Sequence, residues 1–119
     1  MARPWPSEIR LKAKEKVLEI DFDDGKTFAL PAEFLRIQSP SAEMRGHGVG
    51  PGKLIGGRKH VGILKVEPVG NYAVQISFDD LHDTGIYSWD YLYELGSHRD
   101  ELWQAYLDRL EQEGLRREP

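Results

Sequence analysis

Two of the four histidines stand where imidazole and carboxylate groups could share a ligand. His47 lies in a glycine-rich stretch with Glu43 four residues before it. His82 lies in the turn Asp79-Asp80-Leu81-His82-Asp83. Two imidazoles with one or two carboxylates suit Zn²⁺ or Fe²⁺. A fold that lays the first stretch over the second would therefore gather His82, His47, Glu43 and Asp80 into a metal site. The plain alternative is that polar turns are rich in Asp and His simply because they are solvated. His60 and His98 read as surface residues. The chain contains no cysteine, which excludes disulfides, thiolate metal sites, cysteine-ligated iron–sulfur clusters and a cysteine nucleophile. It also fits a reducing compartment, and the expected location is cytoplasmic.

Other chemistries fail on spacing. A P-loop needs a glycine five residues before its Gly-Lys pair and then Ser or Thr. Around Gly52-Lys53 those positions hold His47 and Leu54. The dinucleotide fingerprint fails too, because Gly46 and Gly48 are followed by Pro51 and no strand leads in. Ser39 and Ser41 flank Pro40 without the glycine-flanked elbow of a serine hydrolase. The net charge of −4 gives no general attraction to nucleic acid or anionic lipid. The basic groups Arg10/Lys12/Lys14/Lys16 and Lys53/Arg58/Lys59 are interrupted or flanked by acids and read as solvated faces. No apolar run approaches the roughly 18 residues of a membrane span.

The elements that must position these groups are legible from periodicity. With 119 residues, 39% of them hydrophobic, the chain fits one domain with one core over about 7–113. Polar/apolar alternation over residues 8–12 and again at Leu18, Ile20 and Phe22 predicts strands, with an Asp24-Gly25 turn leading to Phe28 and Leu30. Pro31 is placed to open a short helix carrying Phe34 and Leu35 inward. The stretch 39–57, rich in Gly and holding two prolines, lacks periodicity, and a connection of that length is usually functional. A second hairpin follows, with Val61, Ile63 and Val66 on one strand and Tyr72, Val74, Ile76 and Phe78 on the next. Ser88 caps a helix expected to stop at Gly96, and Ser97 opens another that bears Leu102, Trp103, Tyr106, Leu107 and Leu110 and ends at Gly114. The tail from Leu115 is expected to fray. The aromatic residues concentrated near these helices read as core, with an exposed share open to recognition. The expected fold class is α+β: a small antiparallel sheet of two hairpins with helices packed on one face.

Four segments carry a family resemblance. They are Leu35-Arg36-Ile37-Gln38-Ser39-Pro40-Ser41-Ala42-Glu43, Gly46-His47-Gly48, Val69-Gly70-Asn71-Tyr72-Ala73, and Phe78-Asp79-Asp80-Leu81-His82-Asp83-Thr84-Gly85-Ile86-Tyr87-Ser88-Trp89. Together they resemble the gamma-butyrobetaine hydroxylase-like N-terminal domain over nearly the whole chain. The resemblance implies a small α+β domain that stands alone in bacteria, precedes the catalytic domain of carnitine-pathway 2-oxoglutarate oxygenases, or is joined to P-loop iron–sulfur carrier ATPases. In the oxygenases it implies a structural zinc held by a Cys-x-Cys-x-x-Cys cluster and a histidine. Those cysteine positions fall on Ser39, Ser41 and Met44 here, and the histidine falls on His82. The oxygenase zinc site therefore does not transfer, and the resemblance points to a replacement metal or ligand site using His82 and the Ser39–Gly48 loop. The oxygenase iron site belongs to another domain, and its His-x-Asp motif has no counterpart here. The expectation is a stand-alone, non-catalytic binding or accessory module, with a divalent metal (Zn or Fe) as the candidate cofactor. Its expected partner is a protein, either 2-oxoglutarate oxygenase-like or an iron–sulfur assembly protein, and neither nucleic acid nor membrane. The alternatives are an accessory factor in iron–sulfur cluster assembly and a small iron-dependent oxidoreductase.

Overall fold

A computed structural model describes residues 4–41 and 54–119. Strands β1 (Pro6–Lys12), β2 (Val17–Phe22) and β3 (Thr27–Pro31) form one antiparallel sheet in the order β1-β2-β3. Helix α1 (Ala32–Ile37) follows directly. Strands β4 (Ile63–Val69), β5 (Ala73–Phe78) and β6 (Gly85–Ser88) form a second antiparallel sheet, β4-β5-β6, and helices α2 (Trp89–Ser97) and α3 (Arg99–Gln112) complete the chain.

The α+β class stands, but the strands are split between two three-stranded sheets. The third strand of the second sheet, β6, is not legible as a strand in the sequence: Gly85–Ser88 is four residues long and opens on a glycine. It pairs Ala73 with Ser88 and Ile76 with Gly85. One core nevertheless serves both sheets. Leu18, Ile20 and Phe22 from β2 and Val74, Ile76 and Phe78 from β5 join Phe34, Leu35, Tyr87, Leu92 and Leu95 in a single buried cluster. Each such side chain fully buried contributes about 1.5–3 kcal/mol, so the alternation of β2 and β5 fixes which faces meet.

The outer face of the first sheet explains the N-terminal basic group. Arg10 binds Glu19 and Asp21 across the β1–β2 pair and Glu8 on its own strand, and Lys12 reaches Glu19. These pairs are solvent-accessible, with Arg10, Glu19 and Asp21 half-buried, and of small energetic worth. They mark a solvated charged face.

Several boundaries differ from expectation. Pro31 ends β3 in extended backbone, so α1 starts at Ala32. The Asp24-Gly25 turn forms as expected, with Gly25 at φ +90. Ser88 does cap α2, accepting the N–H of Tyr91. Gly96 does not stop that helix, which runs to Ser97; a side chain there would collide with the ring of Phe28. The residue between the two helices is His98, and Ser97 belongs to α2. Gly114, at φ +67, does end α3. The tail is not frayed: Gly57 N–H and Lys59 N–H donate to the carbonyls of Arg116 and Arg117. No helix among the described residues is long and apolar enough to cross a membrane.

Candidate functional site

Helix α1 is six residues long, yet its residues 32–36 are all buried, Glu33 and Arg36 among them. Burying charge is costly unless each charge is paired. The helix therefore sits between two polar networks, one at each of those residues.

The first network gathers at His82. The imidazole is 7% exposed and Ser39, just past the end of α1, is 1% exposed. His82 Nε2 lies 2.9 Å from Ser39 Oγ and 3.4 Å from Ser41 Oγ, across more than forty residues of sequence. Ser41 N–H points to Ser39 Oγ at 3.4 Å. The site is possible because position 85 is glycine: a Cβ there would stand 2.5 Å from Ser39 Oγ and 3.0 Å from the Tyr87 ring. Tyr87 in turn donates its hydroxyl to the carbonyl of Leu35, locking β6 to α1. Phe78 N–H donates to the carbonyl of His82, and the backbone of Leu81 takes the left-handed conformation at φ +72 that closes the turn.

Asp80 belongs to the same turn, but its carboxylate faces the arginines. Oδ2 lies 2.8 Å from Arg36 Nε and 2.8 Å from Arg58 Nε, while Oδ1 accepts the backbone N–H of His82 at 3.1 Å. The Arg58 contact is an ion pair without hydrogen-bond alignment. Burial pushes the Asp80 carboxyl upward, but the His82 N–H and the two guanidiniums outweigh it and hold the group below its ordinary value.

The expected reach from His82 to the segment beginning at Ser39 is present through Ser39 and Ser41. Glu43, His47 and Met44 lie outside the described residues. Among the described residues no group of three or more His, Asp or Glu side chains converges on a metal position. Two hydroxyls and one imidazole, hydrogen-bonded to one another, do not fit the thiolate-rich zinc site implied by the resemblance. His60 and His98 are exposed, as expected.

The second network was not anticipated. Glu33, 6% exposed, receives a bidentate pair from Arg117: Nη2 to Oε1 at 2.8 Å and Nε to Oε2 at 3.0 Å. The Arg117 guanidinium also lies over the Trp103 ring, 5.1 Å from its centroid. Tyr106 donates its hydroxyl to the carbonyl of Ile55, and burial together with the Glu33 carboxylate pushes its phenol up to about 12. No spacing signal links positions 33 and 117. The one available hint was a glutamate in an otherwise apolar stretch, Ala32-Glu33-Phe34-Leu35.

No curated protein matches the chain. Two solution NMR structures match it closely: one is 47% identical with a TM-score of 0.86, covering 99% of this chain and 93% of the other. The second is 49% identical with a TM-score of 0.84, covering 98% and 87%. A crystal structure of a protein of unknown function of the DUF971 family, from Acidithiobacillus ferrooxidans, is 41% identical with a TM-score of 0.65, covering 76% of this chain and 91% of that one. The model for gamma-butyrobetaine hydroxylase-like N-terminal domains matches residues 9–93, the span that holds both sheets except the first three residues of β1, together with Ser39, Ser41, Asp80 and His82. The chain belongs to the gamma-butyrobetaine hydroxylase-like N-terminal family.

Proposed function

We propose that the protein is a non-catalytic accessory module that works by binding a protein partner, with the His82 pole as the rigid base of its binding region. One observation carries this reading: the convergent polar groups at His82 are spent on one another. Ser39 Oγ is buried against His82 Nε2, and both Asp80 oxygens are engaged by Arg36, Arg58 and the His82 backbone. A nucleophile or general base must reach a substrate, whereas a support must be rigid and satisfied. This pole fits the second role. The partner classes suggested by the family resemblance are a 2-oxoglutarate oxygenase and an iron–sulfur assembly protein. The test is titration of ¹⁵N-labelled protein with a purified protein of each class. Saturable shifts concentrated at residues 36–41 and 80–85 support the reading; no shift with either class at submillimolar concentration overturns it.

A second reading has its own support. His82 Nε2 is directed at Ser39 and Ser41, immediately before the segment that contains Glu43 and His47. A divalent ion, zinc or iron(II), held by His82 with Glu43 and His47 would be exchangeable, since imidazole and carboxylate bind less tightly than thiolates. Calorimetric titration of chelator-treated protein with Zn²⁺, and with Fe²⁺ under anaerobic conditions, tests it. Binding that weakens at least tenfold in His82→Ala supports the reading, and equal binding in both proteins removes it.

A further inference from the structure

Removed from the His82 pole, the contact between Glu33 and Arg117 has the parts of a receptor for one kind of side chain. A carboxylate 6% exposed presents both oxygens to a single guanidinium. An indole face lies alongside that guanidinium. The planar fork of arginine matches both features at once, while a lysine ammonium matches neither the paired oxygens nor the flat ring as well. Beside the pair lies a cavity of about 230 Å³ lined by Pro31, Phe34, Arg99, Asp100 and Trp103 together with Glu33 and Arg117. The site is thus open on one side.

Its present occupant comes from the end of the chain. Arg117 follows Gly114, the helix stop, and is held to the body by Gly57 N–H to the Arg116 carbonyl at 2.8 Å and Lys59 N–H to the Arg117 carbonyl at 3.0 Å. The Arg117 side chain keeps 35% of its surface exposed, against 7% for Glu33. The carboxylate is therefore built into the core and the cation is laid on from outside. That asymmetry decides which partner can be exchanged. If the strap lifts, Glu33 remains buried without its cation, and any guanidinium entering the cavity relieves that cost.

We propose that Glu33 and Trp103 form a guanidinium-binding site, occupied in cis by Arg117 and able to take an arginine side chain from a second protein segment in its place. The strap is then an internal competitor that sets how strongly an external arginine must bind. This site shares no residue with the His82 pole, so its failure and the failure of the proposed function are separately visible.

The experiment uses the full chain carrying Arg117→Ala, with the indole N–H signal of Trp103 followed by NMR. Three probes are titrated: methylguanidinium, methylammonium, and a synthetic peptide of the sequence 115–119. Methylguanidinium should bind the variant at least tenfold more tightly than the wild-type protein, where Arg117 holds the site, and methylammonium should not bind detectably. The peptide distinguishes the sources: binding tenfold tighter than methylguanidinium means that the site reads an arginine within a chain, and equal binding means that it reads the guanidinium alone. Adding Glu33→Gln to Arg117→Ala should abolish binding of both guanidinium probes. If Arg117→Ala does not fold, Arg117→Gln, which keeps most of the aliphatic stem over Trp103, takes its place. Equal response of variant and wild type to methylguanidinium, or equal response of the variant to methylammonium and methylguanidinium, overturns the proposal.

Discussion

The two polar networks that flank α1 solve the same problem in opposite ways. At the His82 pole the participants come from α1, the residues just after it, Arg58 ahead of β4, and the turn before β6, all inside the span matched by the family model. At the Glu33 clasp the cation and the aromatic plate come from Arg117 and Trp103, both beyond that span. The first network has a buried centre, His82 with Ser39 and Ser41, and Asp80 ties its rim to Arg36 and Arg58. The second joins a buried anion to a half-exposed cation on a terminal strap. The difference teaches that one short helix can anchor a permanent contact and an exchangeable one, and that exposure of the weaker-held partner tells them apart.

The largest effect is expected where both networks are broken together. Phe34 lies between Glu33 and Arg36 in sequence and is 1% exposed. Phe34→Ala should destabilise the fold by about 3–5 kcal/mol, measured by urea denaturation. A loss under ~1 kcal/mol would mean that α1 is not the shared anchor of the two networks.

The clasp comes next. Arg117→Ala leaves Glu33 buried without its cation and should cost about 2 kcal/mol, less than for a fully buried pair because Arg117 is partly solvated. Glu33→Gln removes the buried charge itself and should cost less than Arg117→Ala. Chemical denaturation of the two variants checks the order, and a larger loss for Glu33→Gln would contradict the view that the carboxylate is the stranded partner.

Acid should distinguish the poles further. The Asp80 carboxyl is held below its ordinary value of about 4. The unfolded chain therefore takes up that proton first, so this contribution is complete above about pH 5 and is lost as pH falls through the depressed value. Asp80→Asn should cost about 1–2 kcal/mol at pH 6 and less at pH 3.5. A cost that stays constant across that range would show that the Arg36 and Arg58 pairings do not stabilise the fold.

How much of this was readable beforehand divides along the same line. The alternation of Leu18, Ile20 and Phe22 and of Val74, Ile76 and Phe78 announces the two hairpins, because a strand's period is local. The meeting of His82 with Ser39 and Ser41 was visible only through the family pattern, since hydrogen bonds over forty residues leave no periodic trace. Strand β6 was missed because four residues opening on Gly85 carry almost no alternation. The Glu33–Arg117 pair was invisible for a different reason. Polar residues after a helix-stopping glycine have the composition of a frayed end, and only the packing of Trp103, Gly56 and Gly57 shows that the tail has somewhere to lie.

Among the smallest effects, Ser39→Ala should cost about 1 kcal/mol and Ser41→Ala under about 0.5 kcal/mol, following the 2.9 Å and 3.4 Å separations from His82 Nε2. Thermal melts resolve this order, and a larger effect at Ser41 would shift the main partner of the imidazole.

The central claim is that the His82 pole is held by hydrogen bonds among protein groups and folds without a metal. Thermal melts of the wild-type protein and of His82→Ala at pH 7.5, each with and without EDTA, test it directly. The wild-type midpoint should be unchanged by EDTA, and His82→Ala should lie below it by the same interval in both conditions. A wild-type midpoint that falls to that of His82→Ala on chelation would show that a metal ion, and not the Ser39 contact, holds this pole together.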